Sequence, residues 1–151
     1  MNDDAARLSD LAELILAVGR LIQLLGDPLI GTGTPLEIGV LRFINRNPGA
    51  SARAASEATL LTSSNFARVL RSLEDRGLVN RQADANDARR ARLYPTPLAS
   101  ETRRRLGEDW FRLLRGIEED PAKIDHLIGT LQLIERELVS RRQQVGSISA
   151  V

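Results

Sequence analysis

A cluster of hydrogen-bonding side chains lies at the start of a segment with helical periodicity. Its members are Ser63, Ser64, Asn65, Arg68 and Arg71. The amide of asparagine can form two hydrogen bonds with adenine, and the guanidinium of arginine can do so with guanine. Serine lets a helix approach closely or binds a phosphate. These residue types favour recognition of nucleic acid, and the alternative is that Ser64 and Asn65 only serve the helix N-terminus.

A second group of cations flanks the polar segment 84–90. This segment lies between residues 78–83 and 92–95, which can both be extended. The pattern predicts a β-hairpin with a basic tip, and we expect Arg90 and Arg92 to contact phosphates. Without a neighbouring binding motif, the same tip would be interpreted as an ordinary exposed turn.

Catalytic and metal-binding chemistry has little support in the residue types. The chain has no cysteine and one histidine, His126, which excludes a disulfide framework, a thiolate zinc site and a cysteine redox sensor. His126 follows Asp125, but neighbours on a helix point to different faces, and nothing places a nucleophile beside a base. We therefore expect no enzyme activity, no metal and no cofactor.

Two consecutive helices are predicted to position the first cluster. Residues 51–59 are rich in alanine, and Ser51 can cap a tight helix there. Thr62 is placed to cap a second helix that runs to Arg76, and Gly77 ends it. Thr34 and Thr96, each followed by proline, are placed to cap the helices before and after this unit. The stripe that this second helix should bury consists of Phe66, Val69, Leu70 and Leu73. With the hairpin directly after it, the pair forms a winged helix-turn-helix.

In such a motif the N-terminal part of the second helix enters the major groove of DNA. The cluster at positions 63–68 would then face base edges, and Arg71 would meet the backbone. Near the first helix of the motif, Asn45, Arg46 and Arg53 are further candidates for backbone contacts.

Both ends of the chain predict helices that need a partner. Apolar residues alternate at spacings of three and four from Leu8 to Leu25 and from Ile124 to Leu138, which is typical of helices packed along another helix. We expect these helices to join two copies across a two-fold axis. The fold class is thus mainly α with a small β-hairpin wing. The segments are a dimerisation helix with its loop (1–34), the winged lobe (35–96), the C-terminal dimerisation helices (97–143) and a flexible tail (144–151).

Charge follows this division. The net charge is −4 over residues 1–41, +7 over 42–105 and −2 over 106–151. A basic middle suits a polyanionic partner, although a solvated basic face remains the alternative. The apolar runs are too short for the roughly 20 residues of a membrane span, and the acidic start does not resemble a secretory signal. We therefore expect a cytoplasmic protein that does not bind membranes.

The segment from Thr62 to Arg89 resembles the signature of the MarR family of bacterial regulators. Residues 62–70, TSSNFARVL, are similar to the start of its recognition helix, and residues 73–81, LEDRGLVNR, to the exit into its wing. The pattern Asp-x-Arg then follows at the family's spacing. At the junction behind the wing, only Thr96 matches the family, because proline precedes it where leucine is usual and alanine lies at 99 where glycine is usual.

The resemblance implies a homodimeric transcriptional regulator, a repressor by default, that binds a pseudo-palindromic site on double-stranded DNA. It implies that Arg89 reaches into the minor groove and that Asp87 holds this arginine or the hairpin in shape. Family members respond to a ligand or to oxidation. Since thiol oxidation is excluded here, a small organic effector is the candidate signal, with Phe43, Trp110 and Phe111 as candidate pocket residues.

The rival interpretation is a protein-interaction module, a helical dimer whose winged lobe binds another protein instead of DNA. Salt separates the two, because counterion release makes binding to a duplex fall steeply as salt rises.

Overall fold

The computed structural model describes residues 3–26 and 33–148. Within these ranges the elements are, in order, α1 (Asp3–Leu25), α2 (Pro35–Arg46), β1 (Ala50–Ser51), α3 (Ala52–Thr59), α4 (Ser63–Asp75), β2 (Val79–Ala83), β3 (Ala91–Pro95), α5 (Pro97–Leu114) and α6 (Pro121–Ile148). This confirms the mainly helical fold class with a small wing. Most of the loop predicted after α1 and residues 149–151 of the predicted tail lie outside the described residues, whereas residues 144–148 continue α6.

Side-chain caps begin the helices of the lobe where the sequence predicts them. Thr34, Ser51, Thr62 and Thr96 each accept the backbone N–H of the residue three positions later. Each such cap is worth about 1 kcal/mol. At the other end of α4, Gly77 has a φ of 69°, a left-handed conformation that glycine adopts at low cost.

The wing belongs to a three-stranded antiparallel sheet with the order β1-β3-β2. Strands β2 and β3 pair along their whole length and form the predicted hairpin. Strand β1, which the sequence does not predict, pairs Ala50 with Leu93 and Ser51 with Arg92. A strand of two residues is too short to show an alternating pattern, so only its backbone pairing reveals it.

The hydrophobic core lies inside the winged lobe. It consists of Val40, Ile44, Ala55, Phe66, Val69, Leu70, Leu73, Leu78, Val79, Leu93 and Ala99. The four residues of the stripe predicted on α4 are all buried in it. Because α4 contributes its whole apolar face, its opposite face must point away from the lobe.

The terminal helices bury much less. Helix α1 contains no buried residue, and Leu8 remains 66% exposed. On α6, Leu127, Leu131 and Leu138 are also exposed in the single chain. Helix α6 is tied to the lobe by Arg42 of α2, whose guanidinium donates to both carboxylate oxygens of Glu135 at 2.8 and 2.9 Å. No helix in the described ranges is long and apolar enough to cross a membrane.

Candidate nucleic-acid interface

The outer face of α4 carries the whole predicted cluster. The side chains of Ser63, Ser64, Asn65, Arg68 and Arg71 are all exposed. Residues three or four positions apart share one side of a helix, so Ser64, Arg68 and Arg71 form a continuous polar surface. Neither arginine has an ion-pair partner among the residues that the structure describes.

The start of α4 is capped by Thr62. Its hydroxyl accepts the backbone N–H of Asn65 at 3.4 Å and lies 3.4 Å from the hydroxyl of Ser64. The side-chain amide of Asn65 is therefore not the cap, whereas the hydroxyl of Ser64 lies within reach of it. Of the two residues for which a capping role was the alternative, only Ser64 is placed to share in it.

Asp87 organises the tip of the wing. Its Oδ1 accepts the backbone N–H of Arg89 at 3.0 Å, and its Oδ2 lies 3.4 Å from Nε of Arg90. The carboxylate thus holds the turn and the side chain of Arg90, and the guanidinium of Arg89 stays exposed. Of the two roles that the family resemblance implied for Asp87, the geometry favours shaping the hairpin over holding the Arg89 side chain.

Arg92 is part of the base of the wing. Its Nε donates to Oδ2 of Asp84 at 2.5 Å, and its Nη1 donates to the carbonyl of Gly49 at 3.2 Å. The backbone N–H of Asn86 and then the Arg92 guanidinium hold the pKa of Asp84 below its ordinary value. These bonds join the hairpin to the turn after α2, and a phosphate contact by Arg92 would have to compete with them.

Glu74 and Arg81 join the recognition surface to the wing. The guanidinium of Arg81 on β2 donates to both carboxylate oxygens of Glu74 on α4, at 3.0 and 3.1 Å. The sequence pattern predicts no role for either residue. The signal was available, since opposite charges flank the Gly77 turn within the family signature.

The three candidates for backbone contacts lie on α2 and α3, outside the recognition helix. Asn45 and Arg46 line a cavity beside Trp110. Arg53 begins α3 and pairs with Glu57 at 2.8 Å, and this hydrogen bond and the charge of Glu57 raise the pKa of Arg53. The cavity beside Asn45 and Arg46 was not indicated by the sequence, whereas Arg53 stays exposed and its pair with Glu57 has the ordinary spacing of one helical turn.

The aromatic residues proposed for an effector pocket also separate. Trp110 lines a cavity of about 220 Å³ between α2, α4 and α5. Phe43 lines a different groove, of about 560 Å³, between the lobe and α6. Phe111 is 65% exposed, because it directly follows Trp110 and the helix turns it to another side. In the single chain, Trp110 and Phe43 thus line different cavities and Phe111 lines neither of them, and the effector pocket stays a prediction.

His126 is exposed on α6. Across residues 3–26 and 33–148, no three histidine, aspartate or glutamate side chains come together as metal ligands.

A buried helix pair, an outward polar face on its second helix and a hairpin with an exposed arginine define a winged helix-turn-helix protein. Comparison with known proteins agrees with this class. Residues 34–90, which span α2 to the tip of the wing, match the family model described as MarR family. A protein of Thauera aromatica, named as a candidate transcriptional regulatory protein for the hcr operon, is 29% identical over 109 residues. That match covers 69% of this chain and 64% of the relative, so less than two thirds of the relative is spanned.

Solved structures extend the likeness beyond the lobe. The structure of MarR is 25% identical, with 87% of this chain and 97% of that chain covered and a TM-score of 0.58. The PcaV transcriptional regulator of Streptomyces coelicolor, solved with its natural ligand, shares the fold at 23% identity, with 89% and 95% covered and a TM-score of 0.62. Residues 34–90 are therefore similar to MarR-family regulators, and the chain shares the winged-helix fold of these solved structures.

Proposed function

We propose that this chain is a sequence-specific DNA-binding regulator of transcription that acts as a repressor in the cytoplasm. The observation that carries the proposal is the exposed face of α4, which carries Asn65 and Arg68, together with the exposed Arg89 at the tip of the wing. With α4 in the major groove, these two side chains read adenine and guanine, while Arg89 enters the minor groove. Arg71 and Arg90 contact phosphates. The description of the Thauera aromatica relative as a regulatory protein supports this assignment.

The regulator acts as a homodimer. In the single chain, α1 and α6 leave their apolar seams exposed, and a second copy would cover them. Residues 35–96 are then the DNA-binding lobe, and α1, α5 and α6 hold two lobes together. A two-fold axis places two recognition helices about 34 to 36 Å apart, one turn of duplex, so the binding site is an inverted repeat. Repression follows if this site overlaps a promoter.

A small organic acid is the effector that suits the cavity at Trp110. Its lining combines apolar side chains of α2, α4 and α5 with four arginines, Arg42, Arg46, Arg76 and Arg103, and with Glu37. Arg42 is paired with Glu135 and Arg76 with Glu37, so Arg46 and Arg103 are the two that would meet an anion. A molecule with an apolar body and one carboxylate matches this lining. Benzoate should quench or shift Trp110 emission and release DNA, whereas benzamide, which has a similar shape and no charge, should do neither. Equal responses to both would contradict the preference for an anion.

Selection of bound sequences from a random duplex pool tests the DNA-binding proposal. The expected result is an inverted repeat with half-sites one helical turn apart. Asn65→Ala and Arg68→Ala should each reduce the preference for the selected site over random duplex by about 1 to 3 kcal/mol.

Arg89→Ala should instead weaken binding to every duplex, because a minor-groove cation contributes most of its energy without base contacts. Arg104→Ala is the matched control, since this arginine lies on α5 and pairs with Glu101. If the parent binds no duplex in dilute salt, or binds without salt dependence, the proposal fails and the protein-interaction module is favoured.

A further inference from the structure

Glu37 lies between α2 and α4 and contacts both helices. It lies in the first turn of α2, and its side chain is only 12% exposed. Its Oε2 accepts the backbone N–H of Thr34 at 2.7 Å, while the Thr34 hydroxyl accepts the N–H of Glu37 at 3.3 Å. This reciprocal capping box begins α2.

The same carboxylate also binds the recognition helix and the residue after it. The hydroxyl of Ser72 on α4 donates to Oε1 of Glu37 at 2.5 Å, and Nη1 of Arg76 lies 3.5 Å from Oε2. Ser72 follows Arg68 by one helical turn. A displacement of Ser72 along α4 therefore moves the base-reading side chains with it, because the helix is a rigid element.

The surroundings leave Glu37 little freedom. A Cβ at Gly33 would collide with Oε2 of Glu37 and Nη1 of Arg76. Burial alone would raise the pKa of Glu37, but the hydrogen bonds from Ser72 and Thr34 and the charge of Arg76 outweigh it and lower the pKa. A buried carboxylate with this many partners is costly to leave half satisfied, so its partners tend to move as a unit.

Glu37 and Arg76 also line the cavity that contains Trp110. Glu37 and Arg76 thus face the cavity, while the carboxylate of Glu37 accepts a hydrogen bond from Ser72 on α4. We propose that Glu37 is a positioning residue that couples the Trp110 cavity to the recognition helix through Ser72 and Arg76. This proposal rests on the proposed function, since it needs α4 to bind DNA. It does not depend on the identity of an effector.

Reciprocity of coupling gives a test without any effector. If the cavity biases α4, then DNA bound to α4 must perturb the cavity to the same extent. Trp110 is the single tryptophan of the chain and lines that cavity, so its emission reports on it. Titration of the full-length protein with the selected duplex should shift or quench Trp110 emission with the same midpoint as binding measured by anisotropy.

Substitutions at Ser72 test whether the coupling depends on its hydrogen bond with Glu37. Ser72→Ala should abolish most of the emission change and weaken specific binding by about tenfold, since it removes one charge-assisted hydrogen bond. Ser72→Thr keeps a hydroxyl and should restore both. Ser100→Ala, which alters an exposed serine on α5, should behave as the parent.

A second pair of variants removes the charge. Glu37→Gln should uncouple emission from binding, because the amide nitrogen that replaces one carboxylate oxygen cannot accept a hydrogen bond, so the contacts with Thr34, Ser72 and Arg76 cannot all persist. Glu101→Gln removes an equivalent carboxylate from the surface of α5 and should leave the coupling intact. The coupling role is refuted if the parent binds its site without any change in Trp110 emission. It is also refuted if the emission change persists in both Ser72→Ala and Glu37→Gln. In either case the DNA-binding proposal stands. If the parent binds no duplex, both proposals fall.

Discussion

The winged lobe and the terminal helices use apolar residues in opposite ways. In the lobe, α2 to α4 and the sheet enclose a core of leucine, valine and isoleucine side chains almost completely, and Leu70 is 2% exposed. Helices α1 and α6 carry similar numbers of apolar residues at regular spacing, yet Leu138 of α6 is 58% exposed. The lobe is therefore complete within one chain, whereas the terminal helices present a surface that only another molecule can bury.

This difference separates two kinds of stability. The lobe is stabilised by burial within the chain, which does not depend on protein concentration. If α1 and α6 join two copies as proposed, these helices gain most of their stabilisation from association, which does depend on protein concentration. Substitutions in the two regions should accordingly be detected by different measurements.

The largest expected effect on folding comes from Leu70→Ala in the lobe. Removing a fully enclosed leucine leaves a cavity and should lower the free energy of unfolding by about 2 to 5 kcal/mol. Leu8→Ala on α1 is the matched control and should cost well under half as much in urea unfolding at low protein concentration. Equal losses from the two variants would show that the lobe is not the independent unit.

The next effect concerns association. Ile15 belongs to the seam of α1, and Leu16 beside it does not and is more exposed. Ile15→Glu should raise the dimer dissociation constant by about 10- to 100-fold, because it places a charge in the interface of both subunits. Leu16→Glu should change it little, as sedimentation velocity over a concentration series would show. A dimer that tolerates both changes would contradict the seam.

A smaller effect is expected where the lobe joins its wing. Arg81→Gln breaks the two-bonded pair with Glu74, which is partly exposed, so stability should fall by less than about 1 kcal/mol. Specific DNA affinity should fall more clearly, by at least about threefold, because the wing is no longer held against α4. Arg104→Gln, on α5, controls for the lost charge. An Arg81→Gln protein with unchanged DNA affinity would show that the wing is positioned by the sheet alone.

The smallest effect is a change in acid stability. The pKa of Glu37 is lowered in the folded chain, so its contribution is present above the unfolded value of about 4.3 and is lost as the pH falls through the folded value. Glu37→Gln should therefore make the loss of stability below that pH less steep, in urea unfolding series at several pH values. Glu13→Gln, which removes an exposed carboxylate from α1, should follow the parent. A slope that is the same in all three proteins would exclude this contribution.

Local signals predicted most of the fold. Caps such as Thr62 and Thr96, the terminating Gly77 and the apolar stripe of α4 are decided by neighbours within one or two turns, so the sequence contains them. Strand β1 escaped prediction because its two residues are specified by pairing with β3, more than 40 positions away.

For the candidate interface, too, local features could be predicted from the sequence and long-range contacts could not. Exposure of Asn65 and Arg68 follows from the periodicity of α4. The hydrogen-bond partner of each guanidinium does not follow from periodicity. Arg92 reaches Asp84 and Gly49 only once the sheet has formed, and Arg81 contacts Glu74 across the turn between α4 and β2. The separation of Phe43 from Trp110 likewise depends on how α6 and α5 pack around the lobe.

The bond pair between Glu74 and Arg81 has a consequence for how this protein would survey a duplex. Because this bond pair opposes rotation of the wing relative to α4, it would favour one spacing between the proposed major-groove and minor-groove contacts. The local twist and groove width of the DNA would then contribute to recognition, together with the identity of the bases. Two operators with identical half-sites but different helical twist in their flanking sequences would then bind with different affinities, because the free energy needed to deform the DNA would differ.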